Sequence, residues 1–366
     1  MTLTETLLAW YDAHSRALPW RGIHDPYATW VSETMLQQTR VETVLGYYRR
    51  FLAAYPAVEA LAAAPIEDVL KLWEGLGYYR RAQNLHKGAQ QVMTEFGGVI
   101  PRTVPELSRI SGVGPYTAGA IASIAFGQAV PAVDGNVIRV VSRLRGIREN
   151  VGIPSVRRSL TEEASRLVPG DRPGDFNQAL MDLGATVCVP GTPDCAACPL
   201  RDFCDAFDNG DAEELPVLPR KNPPRTVDYD VCLILHSGRA LMRRRTETLL
   251  QGLWVFPMLE GARDMSGLPG AIFRQTGVKC TNVQPAGDAR HVFTHQIWRM
   301  KLYVMDAVSG TAPDGWQYVT LDEMSALPLP TAMKAMRSVA MKRMADAKND
   351  EAGGRFPEES ASRTLP

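Results

Sequence analysis

The sequence predicts a multidomain protein: an all-α domain over residues 1–210, a linker at 211–226 and a smaller α+β domain over 227–345. Three observations carry that reading. Through residue 210, apolar residues recur at helical spacing, broken by turns, and alternating strand patterns are scarce. Then "DNGDAEELPVLPRKNPPRT" runs from acidic to proline-rich and basic with no apolar periodicity, as a linker does. Beyond it, "DYDVCLILHSGRALMRRR" and "RHVFTHQIWRMKLYVM" read as strands joined by turns.

In the helical half, "DPYATWVSETMLQQTRVETVLGYYRRFL" sets Tyr27, Trp30/Val31, Thr34/Met35 and Gln38 on a mostly apolar stripe. Pro56, Pro65, Pro101, Pro105 and Pro131 punctuate further helices. "ISGVGPYTAGA" (110–120) follows "PELSRI", a short helix, so residues 105–125 read as helix, tight Gly-Val-Gly hairpin, helix. Gly112 and Gly114 let a backbone approach an anion, and the following helix offers N–H groups at its positive end. A bare structural turn fits that stretch equally well. Two nucleotide motifs do not: Ala120 rather than Lys follows Gly119, and Thr occupies position 117 where a dinucleotide fingerprint needs Gly. At the far end, "DAKNDEAGGRFPEESASRTLP" (346–366) is polar and predicts a disordered tail.

The 366-residue chain is 45% hydrophobic and 22% charged, an ordinary globular composition. It has no apolar run of about 18 residues and no basic-then-apolar leader, which predicts a cytoplasmic chain without a membrane span. Forty Lys and Arg balance forty Asp and Glu, so the overall basic footprint of a nucleic-acid binder is missing. Residues 139–158 depart from that balance, with Arg139, Arg143, Arg145, Arg148, Arg157 and Arg158 against Glu149. Alone, that run also reads as a solvated helix face.

Four of the six cysteines lie in "CVPGTPDCAACPLRDFC" (188–204), at Cys188, Cys195, Cys198 and Cys204. Four thiolates so close imply a shared metal centre, and disulfides do not suit a cytoplasmic chain. Tetrahedral zinc and an iron–sulfur cluster both satisfy the chemistry. Cys232 and Cys280 read as buried small hydrophobes.

Two carboxylates stand out. Glu33 lies in a helix flanked by Trp30 and Leu36, an apolar setting that raises a carboxyl pKa. It also shares a face with Gln37 and Arg40, so alone it reads as solvated. Asp134, in "AVDGNV", is placed as the N-cap of the next helix, where amides and the helix terminus favour its ionised form. Alone, it reads as a structural cap.

"ISGVGPYTAGAIAS", "VDGNVIRVVSRL" and the four-cysteine loop, in that order, resemble the helix-hairpin-helix superfamily of DNA glycosylases. "WVSETMLQQTRVETV" and "LWEGLGYYRRAQNL" resemble, within it, the adenine DNA glycosylase (MutY) family. The match runs from about residue 7 to 207, and more weakly over 227–340. It implies that Glu33 protonates adenine N7 and later handles water, and that Asp134 stabilises the sugar cation, assisted by Asn136 and Tyr116. Relatives of the endonuclease III type carry a Schiff-base lysine where Tyr116 stands, so the resemblance implies base removal without efficient lyase chemistry.

The same resemblance implies an adenine pocket of Trp20, Arg21, Leu36 and Gln178. It implies DNA contacts by Gln38, Thr39, Leu76 and Tyr78, and by the amides of the hairpin at Gly112 and Gly114 on a backbone phosphate, often through a bound monovalent cation; Arg201, within the cysteine loop, reads as a further phosphate contact. The loop spacing matches the superfamily's 4Fe–4S cluster loop. "LLQGLWVFPMLEG" resembles the family's Nudix-like C-terminal domain. Arg274 and Gln275 in "AIFRQTGV" stand where a working Nudix hydrolase has paired glutamates for magnesium, so hydrolase activity is not expected. Phe293, Thr294 and His295 match a Phe-Ser-His loop that reads 8-oxoguanine, with threonine in place of serine. The expectation is a monomeric enzyme acting on duplex DNA with 8-oxoguanine:A or G:A mispairs. The alternatives are a non-catalytic damage-binding protein and a bifunctional endonuclease III-like glycosylase/lyase.

Overall fold

The computed structural model describes residues 1–220 and 222–353. They fall into two compact units that divide between Lys221 and Asn222.

The first unit is helical, with no strand among its described residues. One group of helices, Leu3–His14, Gly135–Leu144, Pro154–Leu167 and Pro173–Thr186, packs around Leu7, Val141, Leu160, Phe176 and Leu180. A second group, Pro26–Leu36, Val41–Ala54, Ile66–Leu72 and Arg80–Glu95, buries Trp30, Val44, Phe51, Leu70, Trp73 and Leu85. Large side chains buried this fully each contribute about 1.5–3 kcal/mol of hydrophobic stabilisation. The helix Pro115–Ile124 touches both groups, through Pro26–Leu36 on one side and Pro173–Thr186 on the other. That contact places residues of three chain segments around one pocket.

The second unit is built on a mixed sheet of β1 (Arg225–His236), β2 (Arg239–Arg244), β3 (Trp254–Val255), β4 (Met258–Glu260), β5 (Cys280–Val292), β6 (Gln296–Ala307) and β7 (Gln317–Val319). Its order is β3-β2-β1-β6-β5, with β4 pairing β1 and β7 pairing β2. β1 and β6 run parallel from Arg225↔Gln296 to Leu235↔Asp306. Alternation along β1 feeds two cores, as the pleat requires. Val231 and Leu233 join Trp298, Met300 and Met336 on one face, while Cys232 and Ile234 join Leu241, Ile272 and Met305 on the other.

Three sequence expectations need correction. The linker expected at 211–226 is partly packed: Ala212 and Leu215 are buried with Ala206, and Val217 accepts a backbone bond from Val151 at 3.0 Å. Its last two residues belong to β1. The tail expected from 346 begins inside a helix, Lys334–Gly353, and residues 354–366 lie outside the described residues. The arginine run at 139–158 is not one solvated face: Arg139 and Arg143 turn inward, while Arg145, Arg148, Arg157 and Arg158 stay exposed.

Candidate active site

Every residue of Pro26–Leu36 from Tyr27 to Met35 is buried, Glu33 included at 5% exposure. The helix starts where Asp25 accepts from the Tyr27 and Ala28 amides with Pro26 at its first position. It thereby carries a carboxyl group into an apolar interior. Burial pushes the Glu33 pKa up to about 7, and the charge of Asp134 adds to the rise. The Tyr116 hydrogen bond and the Arg21 charge oppose it. The Tyr116 hydroxyl donates to Glu33 Oε2 and lies 3.4 Å from Met181 Sδ. Burial holds that phenol well above its usual pKa, so it remains a donor at neutral pH.

Asp134 is the N-cap of Gly135–Leu144, accepting from the Val137 amide at 2.7 Å and from Asn136 Nδ2 at 2.9 Å. The expectation of a purely ionising environment is half the balance. Burial is the larger influence and raises its pKa, while the Val137 and Asn136 donors and the Arg139 charge pull it back. The two carboxylates therefore differ in donor number: Glu33 has the Tyr116 hydroxyl, Asp134 a helix terminus and an amide side chain.

Glu33, Tyr116, Asp134 and Asn136 line one pocket of about 860 Å³. Trp20, Arg21, Leu36, Gln178, Gln38, Thr39, Gly112 and Gly114 line it too. Trp20 is wedged edge-on against Tyr48, with ring centroids 5.2 Å apart. At the hairpin, Gly112 has φ 82°, and a Cβ there would meet Asn84 Cβ at 2.7 Å, so only glycine fits. Gly114 is different. It has nothing within 4 Å of its missing Cβ and leaves open space in front of the helix start.

Leu76, Tyr78 and Arg201 are not brought to this pocket. Leu76 is buried at 5% exposure, whereas Tyr78 is half exposed with a left-handed φ of 48°. Arg201 stacks over Phe207 and pairs with Asp202 at 3.3 Å.

Sequence reasoning missed Asp182 and Arg16. Asp182 is buried in Pro173–Thr186, one turn after Gln178, and accepts from both Arg16 (2.9 Å) and Arg21 (2.8 Å). It therefore fixes the Arg21 guanidinium, which also lies over the Tyr11 ring at 5.3 Å. The helical i, i+4 spacing of Gln178 and Asp182 was the available signal.

Cys188, Cys195, Cys198 and Cys204 line a second, smaller pocket beside Arg143. Arg143, 2% exposed, donates to the carbonyls of Leu215 (3.0 Å), Val189 (2.9 Å) and Gly191 (3.2 Å) and to Cys188 Sγ (3.3 Å). Arg139 donates to the Cys188 and Gly184 carbonyls and to Asn136 Oδ1. Asn136 in turn meets Asp134, so hydrogen bonds run continuously from the cysteine loop to the capping carboxylate. Arg148 pairs with Asp205 and Asp211, and Arg145 with Glu163. Arg143→Met strands the buried Leu215 carbonyl, at a cost of about 1–3 kcal/mol, and removes the donor of the part-buried Val189 and Gly191 carbonyls. Thermal unfolding should show a loss of several degrees for it and almost none for Arg145→Met, which breaks only a surface pair worth about 0–1 kcal/mol.

In the second unit Arg274 and Gln275 lie on the helix Leu268–Thr276, where Gln275 donates to the Met258 carbonyl at 2.7 Å. Phe293, Thr294 and His295 form the turn between β5 and β6 rather than strand. Phe293 packs edge-on against His291 (4.5 Å) and Trp298 (4.8 Å), while Thr294 and His295 are exposed. Among the described residues no helix is long and apolar enough to cross a membrane.

Residues 31–166 match the family described as HhH-GPD superfamily base excision DNA repair protein, and residues 230–338 match the NUDIX domain. A thermostable thymine-DNA glycosylase structure is 31% identical, with a TM-score of 0.52, covering 56% of this chain and 95% of its own. The human adenine DNA glycosylase is 37% identical over 90% of this chain and 72% of its own length. The mouse adenine DNA glycosylase is 36% identical over 90% of this chain and 76% of its own. With two domains and the order of motifs matched along nearly its whole length, the chain belongs to the adenine DNA glycosylase family.

Proposed function

We propose that this chain removes adenine from duplex DNA where it faces 8-oxoguanine or, less favourably, guanine, and leaves the strand uncut. The observation that carries the reading is the pairing of two unlike carboxylates in one pocket: Glu33, held up to about 7 by burial, and Asp134, held by several donors. Hydrolysis of an N-glycosidic bond needs such a pair, one group to protonate the leaving base and one to support an oxocarbenium-like sugar.

The target nucleotide must leave the stack to reach the pocket. Trp20, Leu36, Arg21 and Gln178 then hold the adenine, with Arg21 fixed by Asp182. Glu33 gives its proton to adenine N7, the C1′–N9 bond breaks, and the bonding pair leaves with the base. Asp134, oriented by Asn136, faces the resulting sugar cation. Water adds to C1′ and gives its proton to the Glu33 carboxylate, restoring the acid. The amides after Gly114 suit a backbone phosphate, directly or through a monovalent cation, and Arg201 a second one. Thr294 and His295, exposed on the β5–β6 turn, suit recognition of the base opposite.

The four loop cysteines would hold a 4Fe–4S cluster. Their fit rests on spacing: they share a pocket, yet no three of the described His, Cys, Asp and Glu residues group to hold a single ion. A tetrahedral zinc would draw thiolates to about 3.8 Å of one another. The cluster would supply structure rather than chemistry, since base hydrolysis transfers no electrons.

The reading is tested by adenine release from an 8-oxoguanine:A duplex beside a T:A duplex. Release from the first and not the second supports it; none from either removes it. Borohydride added during turnover should trap no covalent protein–DNA complex, because Tyr116 offers no amine to the sugar. A trapped complex would show that another amine performs lyase chemistry.

A further inference from the structure

Two segments near the pocket carry the only non-glycine residues among the described residues of 1–220 with left-handed backbone, Gln38 (φ 58°) and Tyr78 (φ 48°). Such conformations persist only where surrounding contacts fix them. Arg81 makes those contacts for both. Its Nη1 donates to the carbonyls of Thr34 (2.9 Å), Met35 (2.8 Å) and Gln37 (2.6 Å), the open end of the helix that carries Glu33. Its Nη2 donates to Thr39 Oγ1 (3.1 Å) and, across the gap, to the Gly77 carbonyl (3.2 Å). The guanidinium lies over the rings of Trp73 (5.5 Å) and Tyr78 (5.4 Å). Although burial lowers its pKa to about 10, it remains charged at neutral pH.

We infer that Arg81 is a positioning residue for base extrusion: one guanidinium locks segments 37–39 and 76–78 into a single rigid wedge that displaces the target adenine. It touches neither base nor sugar in this role. The geometry favours arginine, since a lysine ammonium cannot fork between two segments or stack on two rings. The inference rests on the proposal that the chain extrudes adenine, and its test separates the two.

The full chain carrying Glu33→Gln, expected to bind DNA with little turnover, is bound to a duplex with 2-aminopurine opposite 8-oxoguanine. Fluorescence reports unstacking of that base, and titration reports affinity. Adding Arg81→Lys should cut the saturating fluorescence rise at least about fivefold, as expected when the extruded state loses support, while affinity changes less than about threefold, since phosphate contacts dominate it. An undiminished rise, or a rise that falls only in step with affinity, overturns the inference. Gly77→Ala supplies a second arm should the lysine variant fail to fold. Gly77 has φ 77° and open space around its missing Cβ, so alanine there only strains the segment Arg81 holds. It should produce the same selective loss, and a normal fluorescence rise in it also overturns the inference. If the Glu33→Gln parent itself gives no rise, the proposed function fails instead.

Discussion

Glu33→Gln is expected to lower single-turnover adenine release by at least about 10²–10⁴-fold, the contribution of one positioned general acid. Glutamine keeps the shape and still accepts from the Tyr116 hydroxyl, so the pocket survives and only the transferable proton is lost. The same change should stabilise the protein, with a sign fixed by the raised pKa. Because Glu33 is held up to about 7 from 4.5, the fold resists its ionisation. The Glu33 contribution to stability is most favourable below about 4.5, declines as pH climbs, and carries its full penalty above about 7. Glutamine escapes a penalty of up to roughly 3 kcal/mol at about pH 8 and gains nothing below the unfolded pKa. Thermal melts of both proteins at the two pH values should show the gap opening only at the higher one. A variant equally stable at both, or fully active, would remove Glu33 from its role.

Asp134→Asn is expected to reduce release by about 10²–10³-fold or more, the scale for removing one preorganised electrostatic contact from a developing charge. The variant carries its own control. Asparagine caps a helix as well as aspartate does, so the Val137 amide keeps its acceptor and Gly135–Leu144 keeps its start. The melting temperature should move little while the rate collapses. A rate that stayed within a few-fold of the parent would leave Asp134 a cap and nothing more.

The two-domain order, the helical first unit, the hairpin and the cap at Asp134 were legible because each depends on local pattern. Glu33 was legible only with its neighbours: its own helix face, shared with Gln37 and Arg40, suggests solvent, and the helix Pro115–Ile124 is what buries it. Residues whose partners come from distant segments stayed hidden. Asp182 meets Arg16 and Arg21 from more than 160 positions away, and Arg143 reaches across to Leu215. From sequence the 139–158 arginines look like a face for solvent or phosphate. In the fold Arg139 and Arg143 tie down the cysteine loop, and the other four are exposed. The same contact explains why a proline-rich stretch read as linker is packed at Leu215. Leu76 matched a motif in sequence, yet its side chain is buried rather than offered at the surface.

The most direct test is the pH dependence of single-turnover adenine release, measured in the parent and in Tyr116→Phe. A protonated acid at position 33 requires a tenfold fall in rate per unit above about 7. Removing the Tyr116 hydroxyl deletes a contact that lowers the Glu33 pKa, so the bend should move upward in the variant. A parent profile that stays flat or rises through the neutral range, or a bend that ignores Tyr116, would contradict the account.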